Sequence, residues 1–386
     1  MTNRRKTALR FVLLVGTMDL FADFTYEGAR GVAGPYLALL GASGVAVGAA
    51  TGFGEMLGYG LRLVSGRLAD RTRKFWPITI AGYVVEMAAI PLLALAGRWQ
   101  VAVALLVVER IGKATRNPPR NAMLSHAGEQ MGGYGWAFGL HEALDQGGAM
   151  LGPIAMALLL ARRGDYRTAF AAFAIPAAIT LLLLSTARIL YPNPEGLETA
   201  PRAGGNGRYP RAYWIYLAAA AAIAAGFADF PLIAFHFQKS GVVRGSLVPI
   251  SYAIAMGVSG AGSLVFGRAF DRRGILVLVP LTVVTAAYAP LAFLGTSWVA
   301  IAGVVLWGLG MGVHESILAA VIATMVGAER RASAYGLFTA GFGIAWFLGS
   351  ALLGELYDVS IPALVAVSAA LELAAIPFLV AVARRA

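Results

Sequence analysis

Long apolar stretches, separated by short polar segments, make up most of this chain. We place twelve of them at 10–39, 44–66, 76–97, 100–122, 131–161, 166–190, 212–238, 245–267, 275–295, 298–325, 331–357 and 361–383. Each runs for roughly 20 residues or more, which is enough for a helix to cross the hydrocarbon core of a bilayer. Lipid offers the backbone no hydrogen-bond partners, so such stretches must form helices. The pattern therefore predicts an all-α membrane protein with twelve transmembrane helices.

One long polar segment interrupts this pattern near the middle of the chain. Residues 191–211 are rich in Pro, Gly and charged side chains, which is typical of a linker. We therefore predict an N-terminal six-helix bundle over 1–190, a cytoplasmic linker over 191–211 and a C-terminal six-helix bundle over 212–386.

The two predicted bundles repeat each other in sequence. The Phe-Ala-Asp-Phe sequence around Asp23 returns around Asp229, and residues 66–71 return as 267–272. A third match joins Gly139-Leu140 to Gly336-Leu337. Each pair is separated by roughly 200 residues, and matches at a constant offset indicate an internal duplication. The halves are therefore expected to be pseudo-symmetric.

Composition and charge agree with a membrane location. The 386 residues are 59% hydrophobic and 13% charged, which is too little charge to cover a soluble surface of this size. The net charge is +11, but the basic residues concentrate before span 1, after spans 2, 8 and 10, in the linker and at the C-terminus. This asymmetry predicts a multi-pass protein of the cytoplasmic membrane with both termini cytoplasmic, and it argues against a nucleic-acid partner. The absence of Cys excludes disulfides and thiolate chemistry.

A loop between spans 2 and 3 carries a family resemblance. Residues 66–74 read Gly-Arg-Leu-Ala-Asp-Arg-Thr-Arg-Lys and resemble the signature loop of the major facilitator superfamily, with Arg73 where that family usually has Gly. Residues 267–274 are similar to the second copy that the family carries. The resemblance implies secondary transport by a monomer whose two bundles enclose a central site. It also implies gating roles for six loop residues: Gly66, Asp70, Arg71, Gly267, Asp271 and Arg272.

The resemblance extends to the mechanism of the gate and to the direction of transport. In the family the loop Asp meets a helix N-terminus from the other half, so Asp70 is expected near the start of span 11, beside Arg330 and Arg331. Gly139, Gly148 and Gly152-Pro153 resemble the fifth-helix motif of the superfamily's drug:proton antiporters, which implies proton-coupled export. Residues 26–30 and 116–120 resemble a prokaryotic branch of the family.

Charged side chains inside the predicted spans are the candidate site residues. Such groups are costly in a membrane unless they are paired or face water, so they are functional candidates by default. Asp19, Asp23 and Glu27 are spaced four apart and share one helix face. The resemblance implies that spans 1, 4, 7 and 10 line the cavity. The full set of candidate substrate- or proton-binding residues is Asp19, Asp23, Glu27, Arg30, Glu55, Arg110, His141, Glu142, Asp145, Asp229, His236, His314 and Glu315.

Two interpretations remain open for each group of these residues. Asp23 and Asp229 are related by the repeat, and they form either a proton- or cation-binding pair or two carboxylates neutralised by Arg, for example Asp23 by Arg110. The cluster of His141, Glu142, Asp145, His314 and Glu315 fits a proton relay or substrate contact, structural pairing, or a divalent-metal site.

The sequence thus predicts a secondary active transporter for a small polar or cationic solute, with proton-coupled export. The alternative is a proton- or cation-coupled importer, or a uniporter, of a small polar solute or divalent metal. An enzyme is not expected, because no nucleophile stands with a base at a bilayer face. No phosphate-binding loop of an ATP-driven pump is present. The predicted partners are the solute, protons and the bilayer, with no cofactor and no resident metal.

Overall fold

The structure is a computed structural model that describes residues 3–198, 208–244 and 247–384, without the side chains of 44–52, Glu55 and Arg163. Throughout these residues the chain is almost entirely helical, and no β-strand occurs in them. The α-helices of the first half are α1 (Asn3–Leu39), α2 (Gly44–Thr72), α3 (Phe75–Leu92), α4 (Trp99–Ser125), α5 (Gly128–Met131), α6 (Tyr134–Arg163), α7 (Tyr166–Ala172) and α8 (Ala174–Leu190). Those of the second half are α9 (Arg211–Gly226), α10 (Phe230–Ser240), α11 (Val248–Arg273), α12 (Leu278–Ala286), α13 (Tyr288–Leu294), α14 (Ser297–Met325), α15 (Arg331–Val359), α16 (Ile361–Leu373) and α17 (Ala375–Ala383).

These helices lie where the hydrophobic pattern predicted the twelve spans, which confirms the all-α fold class. Among the described residues, 8 helical stretches are long and apolar enough to cross a membrane. One of them, Val248–Leu294, covers the predicted spans eight and nine. The three predicted spans outside this set correspond to α1, α2 and α4, which contain many of the candidate charges.

The seventh predicted span is broken in its middle. α9 ends at Gly226 and α10 begins at Phe230, so the three residues between them are not helical. Pro231 lies in the first turn of α10, where the missing amide hydrogen of Pro is tolerated. Within a continuous helix Pro231 would lack one backbone hydrogen bond and its ring would clash with the carbonyl of Phe227, four residues earlier, which favours a break between the two residues.

The chain forms two compact units that do not coincide with the two halves of the sequence. Unit 1 consists of Met1–Gly132, Leu140–Pro201 and Ala328–Leu337. Unit 2 consists of Gly133–Gly139, Arg202–Gly327 and Phe338–Ala386. Unit 1 therefore contains the start of α15, and unit 2 contains the start of α6. The bundle boundaries at 1–190 and 212–386 stay a prediction.

Each unit has its own buried core. In unit 1, Tyr36 and Phe170 pack with their ring centroids 4.9 Å apart, and the Tyr36 hydroxyl donates to the carbonyl oxygen of Leu93 at 2.8 Å. In unit 2, Phe227 packs between Tyr288 and Trp307, with centroid distances of 5.0 and 5.9 Å. These cores hold the polar groups described next in fixed positions.

Candidate functional site

A buried ionic network lies between α1, α3, α4 and α6 in unit 1. Its first member, Asp19, is completely buried. One carboxylate oxygen of Asp19, Oδ1, accepts hydrogen bonds from Arg116 Nη1 at 2.8 Å and from the Tyr83 hydroxyl. The other oxygen, Oδ2, accepts from Arg120 Nη1 at 2.8 Å and lies 2.6 Å from His141 Nε2. Asp19 is therefore fully engaged by four side chains.

Arg116 connects this carboxylate to two others. Its guanidinium donates to Glu86 through Nε and, at 3.1 Å, through Nη2. The same Nη2 lies 3.6 Å from Asp23 Oδ1, and Lys113 Nζ lies 3.5 Å from that oxygen. Arg116 is 0% exposed, so these contacts replace its hydration. Buried ions are stable only when such partners neutralise them.

The network is electrically balanced within itself. Three cations from one face of α4 stand against three carboxylates, and these six residues are Lys113, Arg116, Arg120, Asp19, Asp23 and Glu86. The hypothesis that Arg110 neutralises Asp23 is wrong, because Lys113 and Arg116 do so. Arg110 lies one turn earlier in α4, with its Nε 3.6 Å from Glu109 Oε2 and its guanidinium 5.0 Å from the Tyr26 ring centroid.

Asp145 lies beside this network but takes part in none of its ion pairs. Its Oδ1 is buried and has no hydrogen-bond partner among the described residues. Potential ligand atoms of His141, Glu142 and Asp145 all lie within 4.8 Å of one another. Gln146 donates from Nε2 to Glu142 Oε1 at 2.7 Å. This group of side chains can hold a proton or a cation.

Two other unit 1 candidates lie at the end of α1, and one falls outside the described side chains. Arg30 is exposed, and its Nη1 lies 3.4 Å from Glu27 Oε1. This pair borders the buried network, because the Arg30 guanidinium lies 5.9 Å and Lys113 Nζ lies 3.6 Å from the ring centroid of Tyr26. The side chain of Glu55 lies outside the described part of the structure.

In unit 2, Asp229 follows directly after the helix break. Its Oδ1 accepts a hydrogen bond from Trp346 Nε1 at 2.9 Å, and its Oδ2 accepts from Ser350 Oγ at 3.4 Å. Both donors are uncharged side chains of α15. Asp229 therefore has a different environment from its repeat mate Asp23, and the pairing of these two carboxylates stays a prediction.

The remaining unit 2 candidates are dispersed. His236 Nδ1 lies 3.1 Å from the Tyr357 hydroxyl. His314 is buried with its ring 5.1 Å from that of Phe227, and its Nδ1 has no hydrogen-bond partner among the described residues. The next residue, Glu315, is exposed. A common cluster of these groups with His141 stays a prediction.

The first signature loop meets the helix start that the sequence predicted. Asp70 accepts hydrogen bonds from the backbone amides of Ala332 at 3.2 Å and Ser333 at 2.6 Å, in the first turn of α15. Gly66 lies against the Ala332 carbonyl, where a Cβ atom would collide, while Arg71 is exposed. Burial raises the pKa of Asp70 to about 6, although the hydrogen bonds from Ser333 and Ala332 act in the opposite direction. A carboxylate at a helix N-terminus also interacts favourably with the helix dipole.

The second signature loop repeats this arrangement in unit 2. Asp271 accepts from the backbone amides of Gly135 at 2.8 Å and Trp136 at 2.6 Å, at the start of α6. Gly267 lies against the Gly135 carbonyl, and Arg272 is exposed. The two loop carboxylates therefore make the same type of cap, while their gating role stays a prediction.

The candidate residues predicted from the sequence did not include most of the side chains that bind Asp19 and Asp23. Lys113, Arg116 and Arg120 are spaced three and four apart in α4, and this spacing on one helix face was a usable signal. Tyr83 had a weaker signal, because Tyr288 stands roughly 200 residues later as its repeat mate. Glu86 is identified only by its contact with Arg116.

Comparisons with known proteins agree with this fold. A sequence model of the family described as Major Facilitator Superfamily matches residues 20–350. An uncharacterised protein of Mycobacterium tuberculosis is 43% identical over 383 residues, covering 97% of this chain and 93% of its own length. An uncharacterised protein of Mycobacterium bovis matches to the same extent.

Solved structures give the same fold at low sequence identity. The human organic anion transporter MFSD10 has a TM-score of 0.75 at 13% identity, covering 98% of this chain and 100% of its own. The E. coli fucose:proton symporter FucP has a TM-score of 0.71 at 14% identity, covering 97% and 98%. A bacterial homologue of the iron transporter ferroportin has a TM-score of 0.73 at 13% identity, covering 97% and 100%.

Proposed function

The chain belongs to the Major Facilitator Superfamily, and we propose that it is a proton-coupled secondary transporter that exports a small polar or cationic solute. It works by alternating access in the cytoplasmic membrane, as a monomer of the drug:proton antiporter type with both termini cytoplasmic. In this proposal Asp145 carries the coupling proton.

The observation that carries the proposal is the unmatched charge of Asp145. Asp19, Asp23 and Glu86 each have a cation within ion-pair distance, so none of them needs a proton to become neutral. Asp145 has a buried oxygen without a hydrogen-bond partner among the described residues. A buried ionised carboxylate without compensation is costly, and a bound proton removes that cost. Asp145 is therefore the carboxyl of this site whose charge state is best suited to change during transport.

His141 connects Asp145 to the balanced network. It lies one helical turn before Asp145, and its Nε2 contacts Asp19 Oδ2 at 2.6 Å. A proton on the imidazole or on Asp145 changes the charge next to Asp19 without breaking the ion pairs of the network. This supports proton coupling in which the network acts as a fixed scaffold and the α6 side chains titrate.

Transport in inside-out membrane vesicles tests the proposal. A panel of amines, sugars and amino acids is first screened for thermal stabilisation of the purified protein at two pH values, because a bound ligand stabilises by mass action. The stabilising solute is then offered to vesicles with an acidic lumen. We expect accumulation in the lumen with release of lumenal protons. Accumulation that ignores the proton gradient would contradict the coupling, and uptake in the opposite orientation would contradict export.

A divalent metal is the second candidate solute. The ligand atoms of His141, Glu142 and Asp145 lie within 4.8 Å of one another, and imidazole and carboxylate groups suit divalent transition metals. We favour the proton, because His141 Nε2 already contacts Asp19 Oδ2 at 2.6 Å and Glu142 Oε1 already accepts from Gln146 at 2.7 Å, so a metal ion would have to compete with these contacts. Thermal stabilisation by Mn²⁺ or Co²⁺ that disappears in His141→Ala would favour the metal instead.

A further inference from the structure

A second carboxylate, in unit 2, lies buried without an ionic partner. Glu372, near the end of α16, is 0% exposed. Its Oε2 lies 3.5 Å from Thr285 Oγ1, and no residue that the structure describes forms a hydrogen bond with its Oε1. Within the described part of the chain, no Lys, Arg or His forms an ion pair with it. Glu86 offers a contrast, because it is equally buried but paired with Arg116.

The helix break of span seven supplies oxygen atoms next to Glu372. The carbonyl oxygen of Gly226, the last residue of α9, accepts hydrogen bonds from Ser368 Oγ at 2.6 Å and from the Tyr288 hydroxyl at 3.1 Å. Ser368 lies one turn before Glu372 and therefore on the same face of α16. Gly226 approaches α16 so closely that a Cβ atom there would meet the backbone of Ser368 and Glu372.

The electrostatic surroundings favour a positive ligand. The C-terminal end of a helix carries a partial negative charge, and α9 ends beside Glu372. Asp229 lies in the same helix break, three residues after Gly226, so a second carboxylate belongs to this region. α12 and α17 contain no titratable residue, and those of α9 lie ten or more residues before Gly226. Interrupted helices whose C-terminal ends and unwound carbonyls hold Na⁺ or protons are a known arrangement in transporters. At the Gly226 carbonyl a bound cation would take the place of the hydrogen atom that Ser368 or Tyr288 donates.

We propose that Glu372, Thr285, Ser368 and the carbonyl of Gly226 form a binding site for a monovalent cation, either a proton or Na⁺. Carboxylate, hydroxyl and carbonyl oxygens are ligands that hard cations prefer. The bound cation neutralises Glu372, and it ties α16 to the end of α9 at the break. This site is additional to Asp145 and does not depend on the proposed function, so it can succeed or fail by itself.

Thermal unfolding of the purified full chain in detergent tests the site. Wild type, Glu372→Gln and the control Asp358→Asn are compared in Na⁺ and in choline at constant ionic strength, at about pH 6 and about pH 8.5. Asp358 is an exposed carboxylate whose ion pair with Lys239 lies at the surface. Gln closely matches the shape of a protonated Glu, so the variant keeps the contact with Thr285.

Two outcomes support the proposal and identify the cation. If the site binds Na⁺, the melting temperature is several degrees higher in Na⁺ than in choline. This difference is larger at the higher pH, because protons compete with Na⁺ at the lower pH. For a proton, Na⁺ has no effect and the melting temperature falls with rising pH. The Na⁺ response must vanish in Glu372→Gln, the pH response must be smaller in Glu372→Gln than in wild type because Asp70 still titrates there, and both must persist unchanged in Asp358→Asn. Equal responses in wild type and Glu372→Gln overturn the proposal.

A second variant keeps the test decisive if Glu372→Gln does not fold. Thr285→Val preserves the shape of the side chain and removes one oxygen ligand. It is expected to shift the midpoint of the Na⁺ response at least tenfold to higher concentration or, for a proton, to shift the pH midpoint. An unchanged midpoint overturns the site.

Discussion

The two halves of the sequence bury polar groups at matching positions but stabilise them in opposite ways. In the first half, α1 passes through the site without a break, and its Asp19 is neutralised by Arg116 and Arg120. In the second half, the matching span breaks after Gly226, and neutral donors satisfy its backbone. Trp307 Nε1 donates to the Ala228 carbonyl at 2.9 Å. In α1 the ion pairs neutralise buried carboxylates, whereas at the break hydroxyl and indole groups satisfy backbone carbonyls.

The matching tyrosines show this difference most directly. Tyr83 donates its hydroxyl hydrogen to the carboxylate of Asp19. Its repeat mate Tyr288 accepts from the Ala228 amide at 2.5 Å and lies 3.1 Å from the Gly226 carbonyl oxygen. The same side chain supports an ionic network in one half and an interrupted backbone in the other. In the proposed mechanism charge changes occur in the first half and at Glu372, while neutral groups satisfy the backbone at the break.

The largest expected effect is the loss of Arg116. Arg116→Met leaves Asp19 and Glu86 buried with too little positive charge, and breaking a buried ion pair in this way typically costs about 3–5 kcal/mol. Denaturant or thermal unfolding of the purified protein measures it. Arg30→Met is the control, because its pair with Glu27 is exposed and worth about 0–1 kcal/mol. Equal losses of unfolding free energy in Arg116→Met and Arg30→Met would contradict a stabilising role of the buried ionic network.

Replacing Tyr83 or Tyr288 by Phe compares the stability that each hydroxyl contributes, in the ionic network of the first half and at the broken backbone of the second. Tyr288→Phe leaves the Ala228 amide without its hydroxyl partner, and an orphaned buried donor costs about 1–3 kcal/mol. Tyr83→Phe is expected to cost less, about 0.5–1.5 kcal/mol, because Asp19 keeps Arg116, Arg120 and His141. The same unfolding assay compares them, and a larger loss in Tyr83→Phe would reverse the comparison.

The free energy of unfolding is expected to depend on pH through the Asp70 carboxyl of the first signature loop. Burial raises the pKa of Asp70 from 3.8 to about 6, so the folded protein holds this proton more tightly than the unfolded chain does. The resulting stability is present below about pH 4 and is lost as pH rises through about 6. We expect this loss, about 1 kcal/mol for a partly exposed group, to be absent in Asp70→Asn. The same change of unfolding free energy with pH in wild type and in Asp70→Asn would contradict this expectation.

Asp70→Asn also tests the gating role of the cap on α15. We expect the variant to transport more slowly with unchanged solute affinity, because the Ala332 and Ser333 amides lie outside the proposed binding residues. A normal transport rate would count against a latch at this contact. Asp271→Asn is the matched variant in the second loop.

The smallest expected change in stability comes from the residues at positive φ in the two signature loops. Arg73 has a φ of 56°, in the left-handed region, and its repeat mate Gly274 has a φ of 66°. A side chain costs roughly 1 kcal/mol in this region, so Arg73→Gly should stabilise the protein by about that amount. Gly274→Arg should destabilise it. A loss of stability in Arg73→Gly would show that the Arg73 side chain contributes more than its backbone costs.

The helices and the Asp70 cap could be predicted from sequence because each depends on a local pattern. Twenty-residue apolar runs specify spans in a membrane, and the signature loop identified the start of α15 as the partner of Asp70. The shared face of Lys113, Arg116 and Arg120 could be read from their spacing, but the partner of Asp23 could not, because the rotation of α4 decides whether Arg110 or Arg116 reaches it. The break after Gly226 had one overlooked signal, Pro231. The unmatched charge of Asp145 became visible only in the structure, where Asp19, Asp23 and Glu86 each lie beside a cation and Asp145 forms none of these ion pairs.

The claim that Asp145 carries the coupling proton is tested most directly in reconstituted vesicles. Wild type, Asp145→Asn and Asp23→Asn are compared for two activities: accumulation driven by a proton gradient and gradient-free exchange of labelled for unlabelled solute. We predict that Asp145→Asn keeps exchange and loses gradient-driven accumulation, whereas Asp23→Asn, whose carboxylate is held by Lys113 and Arg116, keeps both in whatever fraction folds. Full gradient-driven accumulation by Asp145→Asn would contradict the account.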